Sequence, residues 1–201
     1  SSLFFIIPPF PPKGAAITGT IVLLPGSRKQ EIQRMLPLML ELVPRFLEYR
    51  FVIAGAPSQA EEFYYPMMGD YPVDLVMNQT HQLLKDSDYA VVTSGTATLE
   101  AALFRVPEVV VYKGSKFSYE IGKRLVKIPF ISLVNLILGR EVVRELIQAD
   151  CTQDNMENAL RELMTIEQNQ ALQAAYGELY EKLGAKGASI RAAEHLLTFL
   201  K

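Results

Sequence analysis

Short, continuously apolar runs alternate with stretches of helical period through the first half of this 201-residue chain. "TIVLLPG" (Thr20 to Gly26), "FVIAGA" (Phe51 to Ala56), "VDLVM" (Val73 to Met77), "YAVVT" (Tyr89 to Thr93) and "EVVVY" (Glu108 to Tyr112) are the strand candidates. The continuous apolar character of these runs is that of strands buried on both faces. Between them, Ile32, Met35, Leu36, Met39, Leu40 and Val43 recur at helical spacing, and Pro37 is expected to split that helix in two. Leu83–Lys85 and Ala97–Phe104 supply further helices. Strand and helix alternating at this rhythm predict βαβ units and a doubly wound, Rossmann-like parallel sheet of the α/β class. After Gly139 the pattern reads as helical throughout, from "REVVRELIQ" to "SIRAAEHLLTFL", a C-terminal helical tail. The organisation expected is an arm or linker over 1–19, a Rossmann-like unit over 20–150 and C-terminal helices over 151–201 packing on it.

Sheets of this kind bind ligands outside the carboxyl ends of their strands, in the crevice where the connections change side. Two turns fall there. In "LLPGSRKQE", Gly26 permits a tight strand-to-helix turn, Ser27 is expected to cap the helix with Gln30 completing a capping box, and Arg28 sets a forked cation at the mouth. With the amides of a helix start, this makes a pyrophosphate clamp. The same residues also read as a capped helix with a solvated arginine. The turn is not a Walker loop, because the GxxxxGK(S/T) spacing is absent.

The second turn is "TSGTATLE". Gly95 lets backbone approach a ligand, and Thr96 and Thr98 offer hydroxyls beside unpaired helix amides. Glu100, one turn in, would repel a phosphate. It suits a ribose, whose hydroxyls a carboxylate accepts from, or else it merely favours the positive helix end. Two such motifs at neighbouring strand ends favour the ligand reading.

Composition narrows the classes. Twenty basic against twenty-two acidic residues argue against a nucleic-acid partner. A single cysteine, Cys151, permits no internal disulfide and points to a reducing compartment. His81 and His195 make no metal spacing, and no apolar run reaches the length of a membrane span. "SSLFFIIPPFPPKGAA" at the start lacks the basic region of a signal peptide. From Lys113 to Phe130, lysines and Arg124 interleave with Phe117, Tyr119 and Phe130, a composition suited to an anionic membrane surface or to an amphiphilic anion, and equally to a solvated basic helix. Asn135, expected in an apolar loop within "SLVNLILGRE", needs a partner for its amide, either backbone or substrate.

Together "LLPGSRKQEI", "SGTATLEAAL", "VPEVVVY", "KRLVKIPFISLVNLILGRE" and "ELIQ", in this order, resemble the lipid-A-disaccharide synthase family from about Ile21 to Leu163. That resemblance implies one half of a GT-B architecture, two Rossmann-like domains facing across a cleft. It also implies inverting transfer of 2,3-diacylglucosamine from UDP to 2,3-diacylglucosamine 1-phosphate, with no cofactor or metal. This is a step of lipid A and lipopolysaccharide synthesis in Gram-negative bacteria, carried out in the cytoplasm at the periphery of the inner membrane. By the resemblance, Gly26, Ser27 and Arg28 match the family's GSR turn, and Ser94, Gly95, Thr96, Ala97 and Thr98 its diphosphate-facing loop. Glu100 matches a ribose-binding glutamate, and Asn135 and Gln148 match polar positions of the sugar and acceptor region. Arg28 and Asn135 would support the transition state. The general base is expected in an N-terminal half that this sequence lacks, so a donor-binding fragment, inactive alone, is the expectation, with a homodimer through the C-terminal helices. A UDP-sugar epimerase of the same fold and a non-catalytic nucleotide-binding module are the rivals.

Overall fold

In a computed structural model, which describes residues 17–93, 95–114 and 130–184, the five apolar runs all form strands. These are β1 (Gly19–Leu24), β2 (Tyr49–Gly55), β3 (Val73–Met77), β4 (Tyr89–Thr93) and β5 (Glu108–Tyr112). A sixth, β6 (Arg144–Ile147), completes a sheet of order β3-β2-β1-β4-β5-β6 in which every pairing is parallel. The chain winds outward from β1 to β3 and then returns to lay β4 against the other side of β1. The connections therefore change side between β1 and β4, the position at which such sheets open a crevice.

Successive residues of β1 serve opposite faces, which is why the run must be apolar throughout. Ile21 and Leu23 join the larger core, packed with Ile32, Met35, Leu36, Met39 and Leu40 of α1 (Lys29–Leu40). Val22 and Leu24 join a smaller one with Leu84 of α3 (Thr80–Lys85) and Ala101 of α4 (Thr96–Leu103). A short α2 (Tyr65–Met68) precedes β3. Each fully buried aliphatic side chain contributes about 1.5–3 kcal/mol relative to exposure. The helices on both faces are thus held by the same strands that carry the site. Beyond the sheet, α5 (Leu133–Leu138), α6 (Gln153–Leu163) and α7 (Ile166–Leu183) add Val134, Leu160 and Leu179 to the larger core. The Thr152 and Thr165 hydroxyls accept from Asn155 N and Gln168 N and so start the last two helices.

Three sequence expectations are corrected. Pro37 does not divide α1, which runs unbroken from Lys29 to Leu40. Proline removes one backbone bond, but Pro37 lies on the exposed face, where water can serve the freed carbonyl, while five buried side chains anchor the other face. "REVVRELIQ" is not helical: Arg144–Ile147 pairs with Val109–Tyr112. Val142, Val143, Leu146 and Ile147 do fall at helical spacing, but the open edge of β5 offers a full ladder of partners, and tertiary pairing overrides local propensity. Asn135 lies within α5, not in a loop.

Residues 1–16 of the expected arm, Ser94, most of the basic-aromatic stretch (115–129) and 185–201 of the expected C-terminal helices lie outside the described residues. Among the described residues, no helix is long and apolar enough to cross a membrane.

At the amino end of β5, opposite the crevice, Glu108 is fully buried with Oε2 unpartnered and Oε1 3.5 Å from the Tyr176 hydroxyl. Burial raises its carboxyl well above the ordinary range. The Tyr176 hydroxyl opposes the rise and the Glu145 charge adds to it.

Candidate functional site

At the switch point a cleft of about 490 Å³ opens between the turn after β1 and the turn after β4. Gly26, Ser27, Arg28 and Glu31 line one side and Gly95, Thr96, Ala97 and Glu100 the other, with Thr93 between them. Its volume lies within the range of small-molecule and cofactor sites. The two strands are tied at its floor, where the Thr93 hydroxyl donates to the carbonyl of Leu24 at 2.8 Å.

The first turn owes its shape to Gly26, whose φ of +102° places it where side chains are disfavoured. A Cβ there would also collide with the Glu31 carboxylate. That carboxylate folds back over the turn and accepts from Ser27 N at 3.2 Å. Ser27 and Gln30 consequently form no capping box: the residue preceding the helix is Arg28, which makes no side-chain cap. The capping box expected from the sequence is corrected, because the carboxylate four residues on takes the amide it would have served. Arg28 is exposed and lines the cleft. The turn is braced from the neighbouring loop by the Ser58 hydroxyl, which donates to the carbonyl of Ser27 at 2.9 Å.

In the second turn Gly95 takes φ +121° and precedes α4. The first amides of a helix have no partner within it, so those of Thr96 and Ala97 point the positive end of α4 at the cleft. Thr98 does not share this role. It is fully buried; its hydroxyl donates to Gly95 O at 2.8 Å and receives Leu133 N at 3.3 Å, so it fastens the turn to the start of α5. Glu100 lines the cleft one turn further, with its side chain 34% exposed and Oε2 3.2 Å from His81 Nε2.

Asn135 and Gln148 are not brought to this cleft. The Asn135 amide group is spent within the fold: Nδ2 donates to Val143 O and to Glu145 Oε1, each at 2.8 Å, and Oδ1 receives Val142 N at 2.7 Å and Val143 N at 2.9 Å. Of the two partners left open by the sequence, the chain itself is the one found. Gln148 follows β6 with a φ of +55°, a strained value for a residue other than glycine.

Thr80, Ala56, Pro57 and Tyr112 also line the cleft, and the sequence reading passed over them. Each lies at or shortly after the carboxyl end of a strand, so the rule that located the two main turns would have found them had it been applied to every strand. Ala56 offers no free amide, since its N–H donates to the Tyr64 hydroxyl at 2.8 Å. Among the described residues, no group of three or more histidine, cysteine or acidic side chains is placed to hold a metal.

Comparison with known proteins bears on the same residues. The family model for lipid-A-disaccharide synthetase matches residues 16–198. The lipid-A-disaccharide synthase of Anaeromyxobacter dehalogenans (strain 2CP-C) is 39% identical over 190 residues, 90% of this chain and 50% of that protein. That of Syntrophus aciditrophicus is 38% identical over 193 residues, again 90% and 50%. The chain thus spans about half the length of the curated relatives it matches. Among solved structures, a mutant Thermobaculum terrenum O-GlcNAc transferase aligns with a TM-score of 0.55 at 14% identity, over 96% of this chain and 38% of that one. S. aureus TarM, solved with fondaparinux, α-GlcNAc-glycerol and UDP, aligns with a TM-score of 0.53 at 14% identity, over 97% and 38%. At such identities the likeness is one of fold, that of one half of a GT-B glycosyltransferase. By the family match over nearly its whole length, the chain belongs to the lipid-A-disaccharide synthetase family.

Proposed function

We propose that this chain is the donor-binding half of an inverting glycosyltransferase that joins UDP-2,3-diacylglucosamine to 2,3-diacylglucosamine 1-phosphate. One observation carries the reading: two helix starts, one beside an arginine and the other one turn ahead of a carboxylate, face a single cleft at the switch point. In this reading the Ser27 hydroxyl, the Gly95–Ala97 amides and the Arg28 guanidinium receive the diphosphate, and Glu100 accepts from the ribose hydroxyls. Transfer also requires a base for the acceptor hydroxyl and stabilisation of the departing UDP. Arg28 serves the second need, and the base comes from the half of the relatives that this chain does not match. Asn135 then acts through the fold, holding α5 to β6, and Gln148 stands outside the donor cleft. The unit over 20–150 carries the site, and α6 and α7 buttress it.

The partners are the UDP-linked lipid donor, the lipid acceptor and, weakly, an anionic bilayer. The basic-aromatic composition of Lys113 to Phe130 supports the last, with the cytoplasmic face of the inner membrane as the location. Exposed Ile166 and Tyr180 on α7 support self-association. The test titrates the chain with UDP and follows donor plus acceptor by mass spectrometry. UDP binding without disaccharide is expected, because a missing base alone commonly costs about 10²–10⁴-fold. Absence of UDP binding would overturn the reading, and substantial turnover would relocate the base into these residues.

A further inference from the structure

His81 stands beside the cleft without lining it. It is the second residue of α3, next to Thr80, which lines the cleft. Its Nε2 lies 3.2 Å from Glu100 Oε2. Its ring also meets Phe104, the residue one turn beyond Glu100, with centroids 5.5 Å apart and planes inclined by 37°. The imidazole, 68% exposed, therefore lies against both Glu100 of α4 and Phe104 just past its end: the ring packs on the phenyl group, and its N–H reaches the carboxylate. Glu100 lines the cleft and His81 does not, so the histidine holds the carboxylate from outside and leaves Oε1 for a ligand.

We propose that His81 is a positioning residue for Glu100, fixing the carboxylate in the orientation that accepts from the two hydroxyls of a ribose; the proposal rests on the ribose reading of Glu100. A glutamate on a helix surface has several free torsions, and a ligand that needs one orientation must order them on binding. A partner already bonded to one oxygen removes part of that cost before the ligand arrives. The Nε2–H donor exists in a neutral tautomer as well as in the charged ring, so the arrangement does not require a protonated histidine. Phe104 is 39% exposed and Glu100 34%, so the pair sits at the rim of the cleft, where a carboxylate would otherwise move freely.

The test is calorimetric titration of the chain and of His81→Ala, His81→Gln and Glu100→Gln with UDP and with 2′,3′-dideoxy-UDP. His81→Ala is expected to weaken UDP about threefold to tenfold, the range set by ordering one side chain at binding. Dideoxy-UDP, which gives Glu100 nothing to accept, should bind His81→Ala and the unmodified chain alike. His81→Gln, which returns an N–H donor, should recover most of the loss for UDP. Unchanged UDP affinity in His81→Ala beside a loss in Glu100→Gln overturns the positioning role and leaves the ribose reading intact. Equal losses for both ligands in His81→Ala overturn it too, since the histidine would then act through the fold or on another part of the nucleotide. If the unmodified chain binds both ligands equally, the ribose reading itself fails, and the proposal with it.

Discussion

Replacing Thr98 by valine separates a hydroxyl that binds ligand from one that builds the cleft. Valine keeps the shape and removes the oxygen. In the structure that oxygen donates to Gly95 O at 2.8 Å and receives Leu133 N at 3.3 Å, in a residue with no exposed surface. Gly95 O retains a bond from Thr98 N at 3.3 Å, so its loss is partial. The Leu133 amide is left buried without this acceptor, which costs about 1–3 kcal/mol, and the bond to Gly95 adds about 0.5–1.5. Thr98→Val should therefore lose about 2–4 kcal/mol of stability. In a chain of this length that corresponds to roughly 5–15 °C in melting temperature. Thr98→Ser, which keeps the oxygen, should lose much less. Urea unfolding followed by circular dichroism measures the stability, and UDP titration well below the transition measures the site. A fully stable Thr98→Val that no longer binds UDP would show that the hydroxyl meets the ligand and that its bonds to Gly95 and Leu133 are dispensable.

Glu108→Gln should stabilise the chain increasingly as pH rises. The buried carboxyl is raised well above its ordinary 4.5, so its favourable share of stability is complete below that pH and is lost as pH climbs towards the raised value. The amide does not titrate, and the difference should grow by about 1.4 kcal/mol per pH unit across that window; parallel melting profiles from pH 4 to 8 would contradict this. Asn135→Leu should cost at least about 3 kcal/mol in urea unfolding, since Val142 N, Val143 N and Val143 O all lose their partner. Arg28→Ala should weaken UDP about tenfold to a hundredfold by calorimetry and uridine far less, with lysine rescuing only in part because it lacks the planar fork; equal losses for both ligands would mean that Arg28 acts through the fold.

The strands of the sheet were legible where burial on both faces forced a continuous apolar run, as in Ile21 to Leu24. β6 was not, because its apolar positions, with those just before it, coincide with a helical spacing. The two cleft turns were legible because glycine at positive φ and small polar residues ahead of a helix have few other uses. What those polar groups touch could not be read locally. The Ser27 amide goes to Glu31 instead of a capping box. The partner of Thr98 is thirty-five residues away at Leu133, and His81 meets Glu100 only because the starts of α3 and α4 come together at one cleft. Asn135 invited a substrate role by being polar in an apolar segment, and the return of the chain at Val142–Glu145 supplies its partners instead.

In the proposed function UDP lies in the cleft between the turns after β1 and β4. Backbone amide chemical shifts recorded during a UDP titration test it most directly. Gly26, Ser27, Arg28, Gly95, Thr96, Ala97 and Glu100 are expected to move together along one saturating curve, while Asn135 and the α6 amides stay in place. Saturable binding that leaves the two turns unmoved and shifts amides elsewhere would contradict it.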